Sequence, residues 1–154
     1  MRRLAVHRER RSSGPHPDDA GYVATMASQG APSRARIGRI GERLAGRHLE
    51  DLGYTILDRN WRCAWRDVRG EIDIVAEGHG QLVFCEVKTR RRAVAGEAVE
   101  AVDARKLWQL RRLGAAWLAD ASWHGDEVRF DVVAVSWPPG GGSAEIVHVE
   151  NVVA

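Results

Sequence analysis

The feature that most constrains the fold is a pair of apolar segments on either side of the turn Gly78–Gly80. The segments read EIDIVAE, from Glu71, and QLVFCEVK, from Gln81, and they are rich in residues that favour β-strands. Two such segments around a glycine-rich turn predict a β-hairpin. Because most of their side chains are apolar, we expect the two strands to be buried within a covered sheet.

The patterns on either side of this hairpin predict an α/β sheet covered by helices. Residues 33–53 carry apolar residues at helical spacing, between Ser33 as N-cap and Gly53 as C-terminal cap. Residues 103–120 are also helical in pattern, with Asp103 as their cap. Three further strands are predicted at 54–61, 127–137 and 144–152. The predicted order is helix, three strands, helix, strand, strand, which makes a five-stranded sheet flanked by helices.

The composition divides the chain into two regions. Residues 1–32 are rich in Arg, Ser, Gly, Pro and Asp, and they offer too little apolar surface to offset the entropy lost on ordering. We therefore predict a disordered N-terminal tail at 1–32 and a single domain at 33–154. No apolar run approaches the roughly 18 residues that span a bilayer, so no membrane partner is expected. Cys63 and Cys85 lack metal-type spacing, and we expect free thiols in a cytoplasmic protein.

Three carboxylates and one lysine interrupt the apolar hairpin, at Glu71, Asp73, Glu86 and Lys88. Side chains alternate along a regular strand, which predicts that Asp73 shares a face with Glu71 and Val75. By the same alternation Glu86 and Lys88 share one face of the next strand. The four charges therefore fall on two neighbouring strands at one end of the hairpin.

The turn decides whether the two acids meet. A two-residue turn at His79-Gly80 places Asp73 directly opposite Glu86 and Glu71 opposite Lys88. A three-residue loop without a bulge places the two acids on opposite faces instead, and the glycines permit either turn. In the first register the two carboxylates repel each other, and one pKa rises unless a cation lies between them.

A divalent ion and a salt-bridge ladder are the two explanations of these charges. Mg²⁺ takes carboxylate oxygens together with water, and it would neutralise the two acids better than Lys88 alone. A purely structural ladder on an exposed face would instead pair Glu71 with Lys88. Glu42, on the first helix, borders the apolar stripe, since it lies within about 60° of Ala45 on the helical wheel. An edge carboxylate in water and a functional residue both fit that position.

The order Asp73, then Glu86-Val87-Lys88, resembles the PD-(D/E)xK signature of restriction-endonuclease-like nucleases, here without a proline before the aspartate. Flanking motifs make the resemblance more specific, namely Gly41-Glu42, Gly53-Tyr54, Arg59-Asn60, Gly70–Val75, Val83–Arg90, Lys106 and Arg129–Val135. Together they resemble the YraN family of bacterial proteins, from about residue 37 to residue 152. The resemblance implies an αβββαβ core with a mixed sheet, similar to that of archaeal Holliday-junction resolvases.

The resemblance also implies roles for the charged residues. It makes Asp73 and Glu86 ligands of Mg²⁺ or Mn²⁺, with the carbonyl of Val87 as a third ligand. Lys88 would orient the attacking water and stabilise charge on the phosphate. Glu42 would complete the site and would be the first candidate to bind a second ion, so that one or two ions are expected.

Basic residues close to these acids are candidates for binding nucleic acid. Arg90, Arg91 and Arg92 follow the proposed site directly, and Lys106 lies near the start of the second helix. Such side chains can hold flanking phosphates without reading the base sequence. Solvated faces explain most charge runs equally well, and Trp65, in a loop, either packs or stacks on an unpaired base.

Three functions remain open at this point. The first is a metal-dependent endonuclease acting on branched or structured DNA, as a homodimer in which residues 145–149 pair across a sheet edge. The second is an accessory protein that binds nucleic acid without cleaving it, and the third is a structural module with a salt-bridged sheet. Two other polar residues are expected to be structural: Asp131 as the partner of Arg129 or Arg105, and His48 as a core residue.

Overall fold

One mixed sheet with a helix on each face forms the described part of the protein. The computed structural model describes residues 6–10, 33–64, 68–91, 104–137 and 143–152. Its elements are β1 (Val6–Arg10), α1 (Arg34–Asp51), β2 (Thr55–Arg62), β3 (Glu71–Gly78), β4 (Gln81–Arg91), α2 (Ala104–Asp120), β5 (Glu127–Trp137) and β6 (Glu145–Val149). The sheet order is β1-β6-β5-β4-β3-β2, with β4 and β5 parallel and the other neighbours antiparallel. The predicted α/β class and αβββαβ order are confirmed.

The central hairpin has the two-residue turn that the sequence left open. Gly78 pairs with Gln81, and His79 and Gly80 have positive φ angles of 55° and 76°. Positive φ at both central residues is the type I′ geometry, whose twist matches that of the two strands. The turn therefore sets the register of β3 against β4, and the shorter of the two predicted connections is confirmed.

Each face of the sheet packs against one helix. On the first face, Ile40, Leu44 and Leu49 of α1 cover Ile74 and its neighbours on β4, β5 and β6. On the second face, the apolar side of α2, which includes Trp117, packs on the other core cluster. The α1 caps are as predicted, since Ser33 accepts a hydrogen bond from the N–H of Arg36 and Gly53 has a φ of 88°. Asp103, the predicted cap of α2, lies outside the described residues.

No helix in the described part of the chain is both long enough and apolar enough to cross a bilayer.

The N-terminal strand β1 corrects two expectations. Residues 1–32 were expected to be disordered, but Val6–Arg10 pairs along the whole length of β6. The segment V-H-R-E-R has few apolar side chains, yet an edge strand needs only backbone groups to pair with an open neighbour. The same pairing occupies the edge of Glu145–Val149 that was expected to join two protomers. The remaining residues of the segment lie outside the described part of the chain.

A buried polar network joins the strands of the α1-covered face towards the turn end of the hairpin. Arg129 donates two hydrogen bonds to Asp131, at 2.9 Å from Nε to Oδ1 and 2.8 Å from Nη2 to Oδ2. The same guanidinium donates to Gln81 and Tyr54. His148 Nε2 lies 2.8 Å from Asp131 Oδ2, so the fully buried carboxylate has partners on two strands. The predicted pairing of Asp131 with Arg129 is confirmed.

His48 extends this network to the first helix. Its Nε2 lies 3.2 Å from Nδ1 of His148, and both side chains are buried. The position of His48 in the core is therefore as predicted. The network ties α1 to β5 and β6 through hydrogen bonds as well as through apolar packing.

Removing the central carboxylate tests the structural role of this network. We expect Asp131→Ala to lower the free energy of unfolding by about 3–5 kcal/mol, because the buried Arg129 loses its nearer carboxylate and keeps only Glu150, 3.4 Å away. Urea unfolding followed by circular dichroism measures the change. The control is Asp126→Ala, an exposed acid just before the same strand, for which a change within about 0.5 kcal/mol is expected. Equal effects of the two substitutions would contradict the assigned role.

Candidate active site

The sheet divides into a fork at one end of the central hairpin. The pairing of β3 with β4 ends at Ile74 and Cys85. Beyond that point β3 stays paired with β2 as far as Glu71, and β4 stays paired with β5 as far as Arg91. Two strands that separate within an otherwise continuous sheet leave a gap lined by backbone groups. These groups require other hydrogen-bond partners.

The carboxylate of Asp73 fills part of this gap. The N–H of Val87 donates to Asp73 Oδ2 at 2.7 Å. If the β3–β4 ladder continued in register, Val87 would face Ile72 instead. A side-chain carboxylate thus replaces a backbone carbonyl as the acceptor, and it holds Asp73 where the strands part.

The fork corrects the predicted pairs of charges. Asp73 and Glu86 are the next positions in the predicted register, but the ladder stops one residue before them. The predicted pair of Glu71 with Lys88 is also absent from this ladder. Glu71 is instead opposite Arg62 on β2, and its carboxylate forms an ion pair with Arg62 at 2.8 Å. The sequence could not show this divergence, since the alternation of residues on β3 and β4 continues past the point of separation.

The strands β2 and β3 also change faces at the fork. Ile74 packs in the core under α1, as alternation predicts, but Ile72 joins Val75 in the core under α2. The expectation that Asp73 shares the face of Val75 is therefore wrong. Asp73 lies in the gap and lines a groove on the α1 side. On β2 the change of face occurs at Asn60, which lies across from Asp73 and has a positive φ of 51°.

Glu42 reaches the same groove from α1. Asn60 Nδ2 donates to Glu42 Oε2 at 3.2 Å, and Glu42, Asn60 and Asp73 all line a groove of about 440 Å³. The sequence motif included Asn60, but no role was assigned to it. The residue type is the one indication that the sequence offers for this position, since Asn adopts a left-handed backbone with positive φ more readily than most residues. We infer that Asn60 orients Glu42.

A glycine lets α1 approach the fork closely enough for this contact. A Cβ atom at Gly41 would lie 2.9 Å from the Cβ of Thr89 on β4, closer than packed carbon atoms come. Gly41 directly precedes Glu42 and lies on the sheet-facing side of the helix, where it is buried. The Gly-Glu pair of the sequence motif therefore combines a close helix–strand contact with the acid that this contact positions.

Glu86 and Lys88 lie on the α2 side of β4. The carboxylate of Glu86 is largely buried, and its Oε1 is 2.5 Å from Lys88 Nζ and 3.3 Å from Lys106 Nζ. Lys106, expected to contact flanking phosphates, is thus brought from α2 directly to the acid. Two ammonium groups on one oxygen offset the burial of the charge.

The electrostatics of Asp73 link all four predicted catalytic residues. Burial, and after it the negative charge of Glu86, raises the pKa of the Asp73 carboxyl from 3.8 to about 7. The hydrogen bond from Val87 and the charge of Lys88 act in the opposite direction, while Glu42 raises the pKa further. Asp73 is therefore within electrostatic range of Glu42, Glu86 and Lys88.

The donor set fits a hard divalent ion that keeps part of its water. Among the described residues, no group of three or more His, Cys, Asp or Glu side chains is arranged to hold a metal ion. Mg²⁺ commonly binds through one or two carboxylates, with water and substrate oxygens completing the shell. Asp73 and Glu86 supply two carboxylates. Burial and, after it, the negative charge of Glu86 raise the pKa of Asp73, and a cation would offset that charge.

The predicted nucleic-acid-binding arginines are only partly described. Arg90 is exposed and, by alternation along β4, lies on the same face as Glu86 and Lys88. For Arg91 the backbone pairs with Trp137 on β5. Arg92 and Trp65 lie outside the described residues. Phosphate binding by these side chains stays a prediction.

The raised pKa makes the stability of the protein depend on pH. Since the folded-state pKa of Asp73, about 7, exceeds its ordinary value of 3.8, the native state binds more protons between these values. The free energy of unfolding should then fall as pH rises from about 4 to about 7. Asp73→Asn keeps an acceptor for the Val87 N–H but removes the charge. We expect this variant to be more stable than the wild type at pH 8, by up to about 4 kcal/mol.

Urea unfolding in EDTA at several pH values measures this difference. The control is Glu77→Gln, which changes an exposed carboxylate on the same strand and leaves an oxygen to accept from Trp123 Nε1. Its stability should follow that of the wild type at every pH. An Asp73→Asn profile that runs parallel to the wild-type profile would refute the raised pKa.

Comparison with known proteins identifies the family. The model of the uncharacterised protein family UPF0102 matches residues 41–135. A UPF0102 protein of Frankia alni is 52% identical over 105 residues, covering 68% of this chain and 84% of the relative. One of Kineococcus radiotolerans is 50% identical over 117 residues, covering 75% and 92%. One of a Mycobacterium species is 41% identical over 121 residues, covering 77% and 87%. UPF0102 is the YraN family, so the resemblance found in the motifs is confirmed, and the chain belongs to the UPF0102 family.

Proposed function

We propose that this protein is a Mg²⁺- or Mn²⁺-dependent endonuclease that hydrolyses phosphodiester bonds in branched or structured DNA. The observation that carries the proposal is the fork, where a carboxyl group with a pKa of about 7 lies beside a second acid and a lysine. Repulsive charges that are partly buried at a gap in a sheet lower stability, and active sites are where such groups are found. The resemblance to resolvase-like nucleases supports the choice of reaction and of substrate.

Two carboxylates would bind the ion. Asp73 is held in the gap by the Val87 N–H, and Glu86 is held by its lysines, so both acids are positioned without the ion. We assign Glu42 to the same site, either as a ligand of a second ion or as a hydrogen-bond acceptor for a bound water. When bound, Mg²⁺ or Mn²⁺ would supply a Lewis acid for the phosphate and lower the pKa of a coordinated water.

The lysines would act on the phosphate. Lys88 is partly buried beside Glu86, and its ammonium group can donate to a non-bridging phosphate oxygen or orient the attacking water. Lys106 is half-exposed and contacts the same carboxylate oxygen. When Glu86 binds the ion, the ammonium group of Lys106 can turn from that carboxylate to a phosphate of the substrate. Neither lysine is expected to serve as the metal ligand, because a protonated amine has no lone pair to donate.

Metal binding, and with it cleavage, should depend on pH because the carboxyl group of Asp73 gains or loses its proton. A carboxyl group binds a metal ion in its ionised form, so ion binding releases a proton from the fraction that is protonated. With a pKa of about 7 for Asp73, the apparent affinity for Mn²⁺ should fall as pH drops from 8 to 6. Calorimetric titration at both pH values, in buffers of different ionisation enthalpy, measures the affinity and the proton release. Equal affinities without proton release would contradict this assignment.

A nuclease assay tests the proposed reaction. Purified protein is incubated with four-way junctions, flaps, single strands and plain duplexes, each with Mg²⁺, Mn²⁺ or EDTA. We expect metal-dependent cleavage that Asp73→Asn abolishes and that Lys88→Ala slows by about 10²–10³-fold, the cost of losing one donor to developing charge. Glu77→Gln is the matched control and should cleave like the wild type.

The alternative is an accessory protein that binds nucleic acid but does not cleave it. The observation in its favour is that two lysines already neutralise Glu86. A wild type that binds the substrates and takes up Mn²⁺, yet leaves every substrate intact, would establish this alternative. A wild type that neither binds DNA nor takes up Mn²⁺ would instead favour a structural module.

Location and assembly complete the proposal. We propose a cytoplasmic location, since neither Cys63 nor Cys85 forms a disulfide in the described part of the chain and Cys85 is buried. A symmetric homodimer suits an enzyme that nicks two symmetric strands. Its surface would lie elsewhere than the outer edge of β6, which β1 occupies.

A further inference from the structure

We propose that the groove between α1 and β2 binds the sugar-phosphate backbone of a nucleic-acid strand as the strand leaves the fork. The proposed function supplies the polymer, and the groove supplies its path on the α1 side. This path differs from the one expected from the sequence, because Lys106 and Arg90 lie on the side of α2. The residues that carry the inference are Arg39, Arg43 and Arg59.

The groove carries three arginines beside the two acids of the candidate site. It has a volume of about 440 Å³ and is lined by Arg39, Glu42, Arg43, Arg59, Asn60 and Asp73. The two acids belong to the candidate active site, whereas the three arginines extend the groove along α1 and β2. The groove therefore offers carboxylates for a cation and, at neighbouring positions of α1 and β2, guanidinium groups for anions.

Arg39 and Arg43 stand side by side without acidic partners in the described structure. They are four residues apart on α1, about 6 Å along the helix axis and about 40° around it. Like charges at this spacing destabilise a helix by a few tenths of a kcal/mol. Both side chains are exposed, and no ion pair joins either of them to a carboxylate of the described residues. Such a pair is explained if an anion binds there.

Arg59 is held in place on the opposite wall. Its Nη2 lies 3.4 Å from Glu50 Oε1, and its guanidinium lies over Gly46 of α1. A Cβ atom at Gly46 would lie 2.8 Å from Cζ of Arg59, so the glycine provides the space for the guanidinium. Arg59 is still half-exposed, and it lines the groove.

These features fit a phosphodiester backbone better than a single small anion. Guanidinium groups bind phosphate through paired N–H donors, and three of them around one groove match a polymer of phosphates. Glu42 and Asp73 line the same groove and repel a free anion. A strand whose scissile phosphate is bound at the fork would instead direct its next phosphates toward the arginines. Contacts of this kind position the strand and carry no base specificity.

Salt-dependent binding tests the groove separately from cleavage. Fluorescence anisotropy measures binding of a labelled single strand and a labelled duplex in EDTA, at several salt concentrations. The test variant is Arg39→Gln/Arg43→Gln. The control is Arg111→Gln/Arg112→Gln, which removes the same charge from exposed positions on α2. Thermal unfolding of both variants checks that they fold.

The groove predicts weaker binding and a shallower salt dependence for the test variant only. The slope of log Kobs against log salt should fall in magnitude by about 1.4 for the single strand or about 1.8 for the duplex, if two phosphate contacts are lost. Equal losses in the two double variants, unchanged binding in the test variant, or no binding by the wild type would each overturn the inference. Binding through Arg39 and Arg43 without any cleavage by the wild type would reject only the nuclease. Cleavage by a test variant that binds normally would reject only the groove.

Discussion

The hydrogen bond from the Val87 N–H to the Asp73 carboxylate is the interaction on which the site depends. It occurs where the β3–β4 ladder ends, and it satisfies a backbone donor that the ladder would otherwise pair. Without an acceptor in the gap, this part-buried N–H would be left unpaired, at a cost of up to about 1–3 kcal/mol. The same bond holds a carboxylate whose pKa is raised by burial and by Glu86. One contact therefore closes the open backbone and presents an acid at the fork.

A buried polar network at the opposite end of the sheet stabilises the fold, whereas the charges at the fork destabilise it. Arg129 and Asp131, with His148 and His48, form buried hydrogen bonds that join α1 to β5 and β6. At the fork, by contrast, burial and the charge of Glu86 disfavour the ionised form of Asp73, and removal of the Asp73 charge is expected to stabilise the native state rather than weaken it. This division between a satisfied network and a strained cluster is typical of proteins that keep unfavourable charges for function.

The fold was predictable from the sequence because its signals are local. The type I′ turn is one of the two connections that the glycines around His79 permit, and the helix caps follow from Ser33 and Gly53. The site was predictable as a set of residues for a different reason, since the motif around Asp73 and Glu86 resembles a known family. Strand β1 was missed because its pairing depends on an open edge of β6, which its own sequence does not announce.

The geometry of the site was not predictable, because it depends on two departures from strand regularity. The ladder ends one residue before Asp73, and β2 and β3 change faces at Asn60 and Asp73. Alternation alone would keep the acids of β3 and β4 facing one side of a flat sheet, where Lys106 of α2 could reach them but Glu42 of α1 could not. The fork lets Glu42 approach Asp73 from α1 while Lys106 approaches Glu86 from α2. Side chains from both helices therefore reach one gap, whereas an unbroken sheet would keep them apart.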